Sequence, residues 1–218
     1  MVFEELEDYN VKLYRLVASE EGPTKLFVGG LHGNESLYTA PILERLAQEG
    51  IYVGEAIIVP CLCLVENSKY IDVLSREYYR SKEGMALLRL IRDYQPGFYF
   101  ELHAYGKQSY SRLTDPEREN KIGVPPFVDL GTGILIGSIA PILRRKFREH
   151  EFCITLEVPN WKYNQAELKA ELLLILRQVL RIANKAEMIA WLRMRYPEQI
   201  KKAEILFKQY YHHRLEPF

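Results

Sequence analysis

The sequence predicts an α/β protein with a largely parallel or mixed sheet covered by helices. Two observations carry this expectation. Short apolar runs of strand length alternate with longer amphipathic stretches of helical period, and that alternation builds a sheet whose faces need helical cover. With 218 residues, 48% of them hydrophobic and 27% charged, the chain also has enough material for one substantial core, so it is read as a single domain over 1–218.

Val11–Val17 and Lys25–Val28 open the series as strands, and Gly29, Gly30 and Gly33 let the backbone turn sharply where the second ends. A helix follows over Glu35–Gln48, with Asn34 as its expected cap and Gly50 just past its end. Pro41 inside that pattern marks either a kink or the true start. Glu55–Leu64 reads as the next strand; Cys61 and Cys63 within it share a face, and are better explained as small buried residues than as metal ligands. Lys82–Tyr94 is helical, and Pro96-Gly97 punctuates the passage to a strand over Gly97–Leu102. Residues 105–126, with Gly106, Asp115-Pro116 and Pro125-Pro126, read as a long polar loop of the kind that carries function, with Tyr105, Lys107, Tyr110 and Arg112 as a candidate lid. Strands over Phe127–Leu130, Ile134–Ile136 and Phe152–Val158 alternate with a helix over Ser138–Glu149. Helices over Gln165–Trp191 and Pro197–Tyr211 make the part from about 165 to 211 helical.

Several classes of function find no support. The formal net charge is zero, which points neither to nucleic acid nor to an anionic membrane surface. The acidic start, Met1-Val-Phe-Glu-Glu-Leu-Glu-Asp8, is unlike a secretory signal, and no apolar run reaches the ~18–20 residues of a membrane span. Three cysteines give no disulfide framework. A cytoplasmic protein acting on a small molecule or short peptide is the expectation.

Three strings carry chemistry. His32 and Glu35 stand three apart in Gly30-Leu-His-Gly-Asn-Glu35, just beyond a strand. His103 closes Phe98-Tyr-Phe-Glu-Leu-His103, where alternation places Tyr99, Glu101 and His103 on one face, so Glu101 backs the imidazole as metal-bound histidines require. Glu157 follows the apolar run Phe152-Cys-Ile-Thr-Leu156, where partial burial raises a carboxylate toward the range of a general base. Two histidines and a glutamate suffice for a catalytic zinc with one position left for water, and a further glutamate takes the proton as water attacks an acyl carbon. Because ligands in such sheets gather at the carboxyl ends of strands, His32, His103 and Glu157 are expected to converge there.

These strings resemble the zinc carboxypeptidase superfamily, most closely its succinylglutamate desuccinylase/aspartoacylase branch, whose metal site opens with Gly-x-His-Gly-Asn-Glu and closes with Asp-Leu-His. Between them that branch carries an Arg-Tyr-Ile-Asp-like stretch leading to Asp-Leu-Asn-Arg, and this chain reads Lys69-Tyr-Ile-Asp-Val-Leu-Ser-Arg76. The resemblance implies a three-layer α/β/α fold with a mixed, largely parallel central sheet, one zinc ion held by His32, Glu35 and His103, and amide hydrolysis assisted by Glu157. It also implies that Lys69 stands where an arginine polarises the scissile carbonyl, with the charge but not the bidentate geometry, and that Arg76, beside Ser75 in place of an asparagine, grips a substrate carboxylate. The expected reaction is cleavage of an N-acyl amino acid or related acylated amine. The rivals are a metallocarboxypeptidase acting on peptides and a non-catalytic zinc-binding protein that docks a partner on the apolar stripe Ala170, Leu172, Leu173, Leu176 and Leu180.

Overall fold

Strands that are apolar on both faces need a covering layer on each side. The computed structural model describes residues 2–63, 70–212 and 218. The chain runs through β1 (Val2–Leu6), β2 (Val11–Val17), β3 (Thr24–Gly29), α1 (Ser36–Ala47), β4 (Glu55–Val59), α2 (Lys82–Tyr94) and β5 (Phe98–Tyr105). It continues through α3 (Tyr110–Leu113), α4 (Arg118–Ile122), β6 (Val128–Asp129), β7 (Leu135–Gly137), α5 (Pro141–Arg144) and β8 (Phe152–Pro159) to α6 (Ala166–Val179), α7 (Lys185–Arg195) and α8 (Pro197–Tyr210).

The strands form one eight-stranded sheet in the order β1-β2-β4-β3-β5-β8-β7-β6. β4, β3, β5 and β8 make a parallel central block, and the pairings outside it are antiparallel. Phe27, Ile58, Phe100 and Ile154 pack on one face against Leu43 of α1 and Leu172 and Ile175 of α6. Val28, Ile57, Tyr99 and Cys153 pack on the other against Leu87 and Leu90 of α2 and Leu143 of α5. The result is the three-layer α/β/α arrangement with a mixed sheet. Among the described residues no helix is long and apolar enough to cross a membrane.

The strand order decides where a ligand can sit. From β3 the chain passes through α1 to β4 on one side, then through α2 back across to β5 on the other. The carboxyl ends of β3 and β5 therefore flank a topological switch point, where the departing connections diverge and leave a crevice.

Several elements differ from the sequence expectations. β1 was not anticipated: its exposed edge position leaves Val2 and Phe3 in solvent, so backbone pairing with β2 rather than apolar alternation defines it. The strand expected over Glu55–Leu64 stops at Val59, before Pro60, which has no N–H to give the ladder; Leu64 lies outside the described residues. α1 starts at Ser36 and runs through Pro41, with Glu35 rather than Asn34 at its N-cap. The helix expected over Ser138–Glu149 shrinks to α5, because Pro141 starts it and the Arg144 guanidinium gathers the carbonyls of Phe147, Arg148 and Glu149 into a tight loop. The stretch Gln165–Trp191 is two helices, not one. Asn184 caps α7 by accepting from Glu187 N at 3.0 Å, and Glu187 reaches back to Ala183 N, a reciprocal cap that ends any continuous helix. Residues 105–126 hold α3 and α4 rather than an open loop.

Candidate metal centre

The first ligand loop is held by two buried hydroxyls. β3 ends at Gly29, and Gly30 follows with φ +57°, a left-handed conformation that swings the chain out of the sheet. Thr39, fully buried on α1, accepts a hydrogen bond from Gly30 N at 3.0 Å and donates to Glu35 O at 3.1 Å. It thereby joins the end of the strand to the start of the helix, with His32 and Glu35 between. Tyr78 donates its hydroxyl to Leu31 O at 3.1 Å and fixes the same loop from the other side.

Both imidazoles face the Glu35 carboxylate. His32 Nδ1 lies 3.5 Å from Glu35 Oε2, His103 Nδ1 lies 3.2 Å from Oε1, and the two rings stand 5.1 Å apart. One ligand atom from each of His32, Glu35 and His103 falls within 4.8 Å of the others. Glu35 Oε2 and His103 Nε2 are buried with no hydrogen-bond partner among the described residues. Two imidazole nitrogens and a carboxylate with an orphaned oxygen are the donor set of a divalent transition metal, so the residues present fit such an ion.

The electrostatics agree. Burial lowers the pKa of His32. At His103 burial also works downward, but Glu35 and Glu101 overcome it, and the imidazole is held well above its usual value. The cluster thus attracts positive charge at the point where a cation would sit.

β5 and β8 supply the rest as two parallel polar stripes. Tyr99, Glu101 and His103 share a face with Cys153, Thr155 and Glu157, and the register sets Glu101 beside Thr155 and His103 beside Glu157. Glu101 accepts from Tyr99 OH at 3.0 Å and from Thr155 Oγ1 at 2.6 Å, and its Oε1 lies 3.7 Å from His103 Nε2. The carboxylate thus lies beside the His103 imidazole, on the face where alternation placed it, but beyond hydrogen-bond distance. Glu157 is half-buried on the cavity wall, and burial, reinforced by Glu35 and Glu101, pushes its pKa up to about 7. A carboxyl group with that affinity for protons is suited to accepting one and returning it near neutrality.

The structure therefore brings together His32, Glu35, His103 and Glu157 in one cavity of about 290 Å³. Arg76 is not beside them: it is exposed in the turn before Tyr78. Lys69 lies outside the described residues. Cys61 and Cys63 follow β4 rather than lie in it, and the Cys61 thiol donates to the Cys63 carbonyl. Among the described residues, the arginines that line the cavity are Arg112, from the expected lid, and Arg118, which the sequence reading missed. No motif marks Arg118; the one available signal was its place in a polar segment between Asp115-Pro116 and Pro125-Pro126.

Comparison with known proteins adds a family. The family described as "Uncharacterized protein conserved in archaea (DUF2119)" matches residues 20–212. Uncharacterized protein MJ0501 of Methanocaldococcus jannaschii is 46% identical over 192 residues, covering 87% of this chain and 92% of its own. Among solved structures, the chain is similar to an aspartoacylase family protein from Mesorhizobium loti, with a TM-score of 0.47, 17% identity, and 76% of this chain and 60% of that one covered. It is also similar to the ectoine utilization protein EutE (DoeB) from Ruegeria pomeroyi, at TM-score 0.48 and 15% identity, with 82% and 64% covered. It spans less than two thirds of the length of either structure. With the family match running along most of its length and a relative at 46% identity, the chain belongs to the family described as "Uncharacterized protein conserved in archaea (DUF2119)".

Proposed function

We propose that this protein is a zinc-dependent hydrolase that cleaves an amide bond in a small acylated substrate. The observation that carries the reading is the shared cavity: a His-Glu-His donor set with an orphaned carboxylate oxygen, and beside it, one strand over, a half-buried glutamate whose proton affinity matches a general base. His32, Glu35 and His103 would hold the ion. Zinc would act there as a Lewis acid on the carbonyl and make water more acidic. Glu157 accepts the proton of the attacking water and returns it to the departing amine. Glu101, held by Tyr99 and Thr155, keeps the His103 ring oriented. Arg112 and Arg118 are the cavity's positive groups and face the charge that the substrate carries or develops.

A cavity of about 290 Å³ is at the lower end of the range for small-molecule sites, which favours a compact N-acyl amino acid or acylated amine over an extended peptide. The test has two parts. Elemental analysis of the purified protein should find about one zinc per chain, lost in His32→Ala and His103→Ala. Glu157→Gln should retain the zinc and lose hydrolysis of the best amide in a panel of N-acyl amino acids and short peptides, by about a hundredfold or more, the lower range of general acid–base contributions. A Glu157→Gln variant as active as wild type overturns the assignment.

A further inference from the structure

We propose that the groove between the end of α2 and the loop after α5 binds a small phosphorylated molecule with a planar apolar body, of the chemistry of a purine nucleotide. The groove lies at the opposite end of the sheet from the metal cavity and does not depend on the hydrolase reading.

Pro96 and Glu151 border the groove just before β5 and β8 begin, whereas His103 and Glu157 stand near the carboxyl ends of the same strands. Along extended β5, Phe98 and His103 are about 17 Å apart. The groove holds about 680 Å³, more than twice the metal cavity and well inside the range of small-molecule sites. Among the described residues its lining has no histidine, cysteine or serine, which suits holding a ligand rather than transforming it.

Charge is unevenly shared there. Arg89, Arg92, Lys146 and Arg148 line the groove against one carboxylate, Glu151, which accepts from Arg148 N. A chain of zero formal net charge thus gathers four cations around one opening. Arg89 and Arg92 both give their Nε to a single carboxylate, Asp93. Lys146 and Arg148 are exposed, and among the described residues neither pairs with a carboxylate. Behind them Arg144, only 3% exposed, also lacks a counter-ion among the described residues; its guanidinium is met by the carbonyls of Phe147, Arg148 and Glu149. Arg144 therefore shapes the loop that presents Lys146 and Arg148. It also adds a buried positive charge that solvent screens little. Buried charges are ordinarily paired, and a phosphate at the rim supplies the missing negative charge.

The floor decides what carries the phosphate. Leu88, Ile91 and Phe147 line it together with Met85, which is 44% exposed. Phe147 is itself buried, with its ring centred 5.1 Å from that of Tyr99, so the floor is fixed from behind. A bare phosphate leaves this apolar surface in water. A nucleobase covers it and keeps its phosphates at the rim, where guanidinium forks match phosphate oxygens. Nucleic acid is read by cations strung along a face, and here they converge on one concave opening.

The test is calorimetric binding to the metal-free protein at about 0.15 M salt, where surface charge is screened as in cells. The probes are ATP, tripolyphosphate, adenosine and a short oligothymidylate. The wild type should bind ATP about tenfold or more tighter than tripolyphosphate or adenosine, because each of those keeps only half of the match. Lys146→Glu/Arg148→Glu should weaken ATP by about tenfold or more, while Lys201→Glu/Lys202→Glu, the same charge change on exposed α8, should leave it nearly unchanged. Met85→Asp, on the other wall, should weaken ATP as well, and it carries the test if the double variant does not fold. No ATP binding up to about 1 mM, a free energy of only about 4 kcal/mol, overturns the proposal. So does tripolyphosphate binding as tightly as ATP, a folded groove variant with wild-type affinity, or equal loss in the α8 control. An oligothymidylate that binds tighter than ATP through the same residues replaces the small molecule with nucleic acid and overturns it too.

Discussion

Thr39 shows how a single hydroxyl positions a metal site without touching it. It accepts from Gly30 N and donates to Glu35 O, so the backbone before His32 and the backbone of Glu35 are tied through one side chain. Thr39→Val keeps the volume and removes both bonds, leaving a buried N–H unsatisfied, a loss of about 1–3 kcal/mol in stability by the usual scale for such groups. Metal affinity should fall by about 10–100-fold, as for other residues that orient ligands from behind. Denaturant unfolding and zinc titration of the variant check both; affinity equal to wild type would show that the loop holds itself. His32, His103 and Glu157 were legible as candidates in the sequence because they stand at or just beyond strand ends, and Glu35 because it lies three residues from His32 at a helix start. Thr39 and Arg118 were not, because a threonine on a helix and an arginine in a polar segment look ordinary until burial and partners are known. Arg76 illustrates the reverse: a position suggested by resemblance lies exposed in a turn.

At the scale of elements, β3, β5, β8 and α2 stand close to where alternation and turn residues placed them, since a strand covered on both sides has little freedom in its sequence, whereas β4 stops early at Val59. The errors fell where tertiary contacts override pattern: the edge strand β1, the break between α6 and α7 at Asn184, and the short α5. β3 carries a testable anomaly. Lys25 is fully buried in it, donating to Val53 O at 2.6 Å, and burial lowers its pKa to about 8 from 10.5. The folded chain therefore releases this proton at lower pH than the unfolded chain, so between those values the unfolded state binds more protons and stability rises with pH. Compared with Lys25→Met, the wild type should gain up to about 3 kcal/mol from pH 8 to 10.5, at 1.36 kcal/mol per pK unit. Parallel denaturation series on the two proteins read this difference directly; a flat difference would mean that the ammonium is solvated.

For the whole molecule, the question is what joins the two sides of the switch point. His32 and Glu35 stand in the connection leaving β3 and His103 stands on β5, so an ion held by the three would tie α1 to the middle of the sheet. The same place holds Glu35, Glu101 and Glu157 close together, with Arg112 and Arg118 as the lining arginines among the described residues. The sequence predicted the convergence of His32, His103 and Glu157 because each stands at or just beyond the carboxyl end of a strand, and the strand order then adds the crevice between β3 and β5. Folding and metal binding are therefore expected to be linked, since the unfolded chain has no such donor set. With free zinc at about 100 times its Kd the native state gains about 2.7 kcal/mol, and at about 2–4 °C per kcal/mol for a chain of this size the midpoint rises by about 5–10 °C. Chelation should lower the Tm of the wild type by that amount and leave His32→Ala and His103→Ala unchanged. A wild-type Tm that ignores both zinc and chelator would mean that no ion spans these elements, and the carboxylates would then be balanced by protons and by the arginines of the cavity.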